Sequence, residues 1–184
     1  IFDEVFTGFG RTGNLFAHHY FNVSPDVLIL SKAIGGGIPT GMVVAKNGFL
    51  NKWSSGTQSS TFQMHPFAAA SGCALIETLY EENLLSKAKK IENNFKKREK
   101  EINKFSCVKE LRGLGAMQGI EIQTHNKPDK KLTKKIRLEA LKMGLITYEC
   151  GINGNVIGLM PPLVIKDDEL NRGIDIIINS IKKS

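Results

Sequence analysis

An acid and an amine stand at the ends of the first two apolar runs of this 184-residue chain. Asp3 falls in Phe2-Asp3-Glu4-Val5, and Lys32 follows Val27-Leu28-Ile29-Leu30 in Ser31-Lys32-Ala33-Ile34. Functional side chains of α/β sheets gather at the carboxyl ends of strands, so these two positions suit one crevice. A lysine amine can attach covalently to an aldehyde. A carboxylate against a pyridine nitrogen keeps it protonated, and the ring then accepts electrons from a carbanion. Once released, the same amine can carry a proton to and from a substrate's α-carbon. Taken singly, each residue has a blander meaning. A lysine after a strand is usually solvated, and an aspartate at a strand end usually serves a cap or turn.

The elements that must position the pair follow from the hydropathy pattern. Residues 1–6 are apolar and β-prone around Asp3 and Glu4, and predict the end of a buried strand. Thr7-Gly8-Phe9-Gly10-Arg11-Thr12-Gly13-Asn14 is a glycine-rich loop, and residues 16–21 predict a short helical or irregular segment. Val27 to Leu30 reads as a second buried strand, of the kind a parallel sheet covered on both faces uses. Gly35-Gly36-Gly37 breaks the chain, residues 41–45 give another short strand, and 46–61 are mostly loop.

From Pro66 the period becomes helical, with Ala68, Ala69, Gly72, Leu75, Ile76 and Leu79 on one face. A second helix is expected from Leu84 to about Lys104, striped by Leu85, Ala88, Ile91, Phe95 and Ile102. A boundary between two lobes, 1–80 and 81–184, is placed in this helical stretch. No Pro/Gly linker occurs there, so packed lobes are expected. Residues 107–112 and 116–123 predict strands around Gly113 and Gly115. Residues 130–143 predict an amphipathic helix closed by Gly144. Residues 145–148 and 155–160 predict short strands, and Asp167-Asp168-Glu169 suits the positive end of a final helix. The alternation indicates an α/β protein.

Composition narrows the classes. Apolar residues make up 41% and charged residues 23%, enough for a folded core, so disorder is not expected. No apolar run has the length of a membrane span. The net charge of +7 concentrates in 87–104 and 127–137. Interleaved Glu92, Glu99 and Glu101 mark a solvated helix face, and no aromatic residues alternate with the lysines as nucleic-acid binding would favour. Cys73, Cys107 and Cys150 are odd in number and widely spaced, which opposes a disulfide framework. A cytoplasmic location is the expectation.

Longer motifs surround the Asp3/Lys32 pair. Asp3-Glu4-Val5-Phe6-Thr7-Gly8-Phe9-Gly10-Arg11-Thr12-Gly13, then Pro25-Asp26-Val27 with Ser31-Lys32-Ala33-Ile34-Gly35-Gly36-Gly37, then Ser60-Thr61-Phe62 with Pro66, resemble successive motifs of class III (ω-type) aminotransferases. Leu111-Arg112-Gly113-Leu114-Gly115 and Pro161-Pro162-Leu163 resemble the family's C-terminal motifs, so the likeness covers essentially the whole chain. It implies pyridoxal 5′-phosphate (PLP) as cofactor, with Lys32 as the lysine that holds it and Asp3 as the partner of its pyridine nitrogen. Val5 matches the residue packed on the ring. Thr61 matches the threonine whose hydroxyl reaches the cofactor phosphate of the neighbouring subunit, and this implies a homodimer with shared active sites. The implied fold is PLP-dependent transferase fold type I: the C-terminal part of a large, mainly parallel domain over 1–80, then a linking helix and small C-terminal α/β domain over 81–184. The implied reaction moves an amino group between an amine or amino acid and a 2-oxo acid. An aminomutase or racemase of the same fold and a non-catalytic binding module are the alternatives.

The chain departs from the family pattern twice. Phe6 stands where Gln is frequent, and cannot donate a hydrogen bond to the cofactor's phenolic oxygen. Gly158 stands where many members carry an arginine that holds a substrate carboxylate. Either another residue binds that carboxylate, or one substrate lacks it there, which favours an amine, diamine or amino-sugar donor. The chain opens inside an apolar strand, so a fragment is expected, with little or no transamination by itself. Other signals take bland readings. Gly113 to Gly119 lacks the third glycine of a dinucleotide fingerprint, since Gln118 stands there, and suits a strand and turn. His18-His19 lacks a third metal ligand. His65 suits a structural or substrate-gating role, Trp53 packing or an interface, and Arg11 structural contacts in its glycine-rich loop.

Overall fold

The computed structural model describes residues 1–61, 63 and 65–184. Phe62 of the Ser60-Thr61-Phe62 motif, and Met64, lie outside the described residues. The chain divides into two compact units, Ile1–Leu85 and Ser86–Ser184.

The first unit is built on a three-stranded sheet in the order β1 (Phe2–Asp3), β2 (Val27–Ser31), β3 (Gly41–Ala45). β1 runs parallel to β2, with Phe2 opposite Leu28 and Asp3 opposite Ile29. β3 returns antiparallel, from Gly41 opposite Ser31 to Ala45 opposite Val27. α1 (Ala17–Tyr20) lies between the first two strands in sequence, and a 3₁₀ turn, Lys32–Gly35, follows β2. α2 (Pro66–Glu81) opens on a proline, whose missing N–H is one of the donors a helix start leaves unpaired.

Burial here is lighter than the apolar runs predict. β1 has two residues instead of a full strand end, Asp3 is exposed, and Leu30 is the buried residue of β2. The successive residues Met42, Val43 and Val44 are all exposed. Neighbours on a strand point to opposite faces, so both faces of β3 are open to solvent. α2 buries Ala68, Gly72 and Leu79, while Ala69 and Ile76 are exposed. The buried stripe is narrower than the helical period suggests, because small residues carry the contact. A Cβ on Gly72 would lie 2.7 Å from the Ile34 carbonyl oxygen, so the helix backbone sits directly on the Lys32–Gly35 turn.

The second unit follows from α3 (Leu84–Asn103), whose first two residues close the first unit. β4 (Val108–Leu114), β5 (Met117–Thr124), β8 (Val156–Leu159) and β7 (Tyr148–Cys150) form an antiparallel sheet in the order β4-β5-β8-β7, and β6 (Lys127–Pro128) pairs with the end of β5. The sheet packs with α3, α4 (Lys130–Lys142) and α5 (Asp167–Lys182) around one continuous core that includes Ala88, Ile91, Phe95, Ile120, Ile122, Ile136, Ile157, Ile174 and Ile177. All four residues of β8 are buried. The Gly113–Gly119 stretch is a hairpin, with Leu114 opposite Met117 and a turn at Gly115-Ala116. Several charges of α3 are paired: Lys90 with Asp167 at 2.5 Å, Lys96 with Glu92, and Arg98 with both Glu101 and Asp175 at 2.8 Å.

One strand lies later than its apolar run. Residues 145–148 predict a strand, but β7 begins at Tyr148. Gly144, at φ +89°, ends α4, its N–H reaching the Leu141 carbonyl at 3.0 Å while the Leu145 N–H reaches the Ala140 carbonyl at 2.9 Å. This paired closure of a helix end commits Leu145 to the cap and its side chain to the core.

Candidate active site

Parallel pairing of β1 and β2 brings their carboxyl ends to the same edge of the sheet. Asp3 ends the first strand, and its Oδ1 accepts the Val5 N–H at 3.0 Å, so the carboxylate is held by its own loop while remaining exposed. Lys32 leaves β2 into the 3₁₀ turn with φ +50°. Asparagine tolerates that left-handed region; lysine does so at a cost, of the kind found where a site dictates the backbone. The turn is pinned from several directions. Ser31 Oγ donates to the Thr40 carbonyl at 2.7 Å, the Gly36 N–H closes on Ala33 at 2.8 Å, and Gly72 of α2 abuts Ile34.

The Lys32 ammonium lies 3.7 Å from the centre of the Phe6 ring. A cation over an aromatic face gains about 0.5–1 kcal/mol at exposed sites. The residue that departs from the motif is therefore the one touching the lysine. Val5 is half-buried between Asp3 and Phe6. Thr61 lies in an exposed turn before α2, with no hydrogen bond to Asp3, Phe6 or Lys32 among the described residues. Asp3, Val5, Phe6 and Lys32 thus stand at or just beyond neighbouring strand ends, with Phe6 touching Lys32.

Behind Asp3 sits a residue that sequence reasoning missed. Glu4 is 2% exposed, and its carboxylate accepts from Thr7 Oγ1 at 2.6 Å, the Ala17 N–H at 2.8 Å and the His18 N–H at 2.9 Å, with His18 Nδ1 at 3.0 Å. Burial by itself raises the Glu4 pKa, but the bonds from Thr7, Ala17 and His18 outweigh it and hold the carboxyl below its ordinary value. An acid inside an apolar run was the available signal. Its partner, His18, stands fourteen positions away with no spacing to announce it.

In the second unit, Tyr148 of β7 pairs with Gly158 of β8. The tyrosine ring lies over the glycine, where an added Cβ would come within 2.3 Å of Tyr148 Cζ. The missing side chain at 158 is thus matched by a ring that fills its space. Pro161 and Pro162 line an apolar cleft with Phe95, Leu145, Leu159 and Leu170. No cluster of three His, Cys, Asp or Glu side chains suited to a metal occurs among the described residues. No helix among them is long and apolar enough to cross a membrane.

The family model described as aminotransferase class-III matches residues 1–181. The chain is 37% identical over 184 residues to an alanine/serine racemase of Pyrococcus horikoshii, covering 99% of this chain and 39% of that one. It is 36% identical over 181 residues to a 4-aminobutyrate aminotransferase of Escherichia coli, covering 96% and 42%. It superposes on an acetylornithine aminotransferase of Elizabethkingia anophelis with a TM-score of 0.85 at 34% identity, covering 98% of this chain and 47% of that one. The chain therefore spans less than half the length of these relatives.

Proposed function

From a chain that belongs to the class-III aminotransferase family, we propose that the whole protein moves an amino group between an amine or amino acid and a 2-oxo acid, with PLP held on Lys32. The observation that carries this reading is the parallel pairing of β1 with β2, which sets Asp3 and Lys32 at one sheet edge. PLP, when bound, supplies an electron sink for the bond broken at the substrate's α-carbon. The residues present fit it. Lys32 stands exposed on a turn braced by Ser31 and Gly72, and its Nζ is the atom that moves the proton. Asp3, oriented by the Val5 N–H, takes the pyridine nitrogen, and Val5 packs against the ring.

Thr61 extends the reading to a homodimer, in which its hydroxyl reaches the phosphate held by the neighbouring subunit. Exposed apolar side chains such as Trp53, Phe67 and Tyr80 support burial against another surface. The segments 1–80 and 81–184 correspond to part of a large domain and to a linking helix with the small domain. A cytoplasmic location accords with three cysteines free of disulfides. Gly158, with Tyr148 over it, offers no arginine to a donor carboxylate. That favours an amine, diamine or amino sugar as donor.

The test is to express the longest polypeptide containing this sequence with PLP, record its visible absorbance, reduce it with borohydride and map the modified residue. A visible band and a mark on Lys32 are expected. A well-folded full-length protein without the band removes the assignment. The alanine/serine racemase likeness favours a second reading, racemisation, and acceptor dependence separates the two. Transamination requires a 2-oxo acid and yields a new amino acid in equal amount, whereas racemisation requires none.

A further inference from the structure

We infer that Glu4 is a positioning residue for the cofactor pocket, its buried carboxylate fixing the segment that carries Asp3 and Val5. The inference rests on the reading above, because Asp3 and Val5 are taken to meet PLP. Glu4 stands between them, and its side chain turns inward while Asp3 stays exposed. The donors to its two oxygens come from separate parts of the chain: Thr7 in the following turn, and the start of α1 through the Ala17 and His18 N–H groups and the His18 ring. Its backbone is tied as well. The Glu4 N–H donates to Ile29 of β2 at 2.9 Å, and its carbonyl accepts the Gly8 N–H at 2.9 Å.

One residue thus fastens the strand end to β2, to the glycine-rich loop and to α1. A buried carboxylate surrounded by donors has one low-energy orientation, because rotating it strands both the charge and the N–H groups. Asp3 inherits that order through the backbone and through the Val5 N–H that holds its Oδ1. The His18 ring is itself confined, stacked on Phe16 at 5.5 Å between centroids.

The experiment compares the wild-type full-length protein, loaded with PLP, with its Glu4→Gln, Thr7→Val and Asp3→Asn variants. The readouts are cofactor loss on dialysis, visible circular dichroism and melting temperature. Glu4→Gln is expected to release cofactor on the order of tenfold faster, from the loss of charge-assisted hydrogen bonds. Its dichroism is expected to move toward that of Asp3→Asn. Thr7→Val removes a single bond, and is expected to shift both readouts the same way by about threefold in release rate. Lower melting temperatures with wild-type dichroism and retention would overturn the inference and leave Glu4 a purely structural residue. If Glu4→Gln does not fold, Thr7→Val decides alone, and wild-type behaviour there overturns it. A wild-type protein without a band marked on Lys32 removes the PLP reading and this inference with it. A marked band with indistinguishable variants removes only the role of Glu4.

Discussion

The two units solve the folding problem by different means. Residues 86–184 bury a continuous aliphatic core in which Ile120, Ile122, Ile136, Ile157 and Ile177 are fully enclosed. Residues 1–85 bury few large apolar side chains, among them Leu30, Ile34 and Leu79, and leave Met42, Val43, Val44, Phe49 and Trp53 exposed. Order in the first unit comes from polar ties, the Glu4 cluster and the Ser31–Thr40 bond, and from the close steric seat of Gly72 on Ile34. Hydrophobic burial is non-directional, whereas a hydrogen-bonded node holds its groups at fixed distances and angles, and the candidate chemistry sits on the unit that relies on such nodes.

The sharpest way to break this contrast is Lys32→Ala. In the full-length protein it should abolish borohydride-trapped cofactor and lower turnover by at least about a thousandfold, while the 86–184 amides keep their hydrogen-exchange protection. Loss of protection there would show that the units are not separable in this sense. Next in size is Ile120→Ala, which should cost about 2–5 kcal/mol by leaving a cavity beside β5, read as a lower denaturant midpoint for the second unit. Gly72→Val should cost about 1–3 kcal/mol through overpacking against the Ile34 carbonyl, and it should loosen exchange at the amides of the Lys32–Gly35 turn.

A smaller effect follows from Glu4. Its folded pKa lies below the ordinary 4.5, so its stabilisation is present above that value and is lost as pH falls through the lower folded one. Acid should therefore loosen residues 1–85 below pH 4.5, and Glu4→Gln should flatten that dependence when amide exchange is followed against pH. Smallest of all, Lys90→Ala breaks an exposed pair with Asp167. It should leave the denaturant midpoint unchanged within error, since such pairs trade Coulomb gain against side-chain order.

Periodicity and caps made the helices legible. α3, α4 and α5 carry strong aliphatic stripes, with Gly144 closing α4 and the acidic start at Asp167 opening α5; the Asp129 cap of α4, whose side chain accepts the Leu132 N–H at 2.9 Å, emerges from the structure. The hairpin at Gly115 and the strand at Gly41–Ala45 were equally plain, because glycines bracket them. What escaped was decided by hydrogen bonds and loop closures that leave no mark in the hydropathy pattern. Leu145 belongs to a helix cap instead of a strand because the Ala140 carbonyl claims its N–H. β6 is two residues long and pairs only through β5, below the reach of any alternation pattern. At the candidate site, the Asp3/Lys32 pair was legible from motif and strand ends. The meeting of Phe6 with Lys32 and of Glu4 with His18 was not, since each depends on how a loop closes.

If position 158 faces the donor, as proposed above, the ring of Tyr148 against Gly158 constrains any change of specificity. Positions 148 and 158 behave as one site with two letters, because no side chain fits at 158 while the ring stays where it is. A library that varies 158 alone would return an intolerant position and suggest that specificity cannot be changed there. Varying 148 to a small residue in the same library opens the volume first, and the two substitutions should then be strongly epistatic, tolerated together and harmful in one order of introduction.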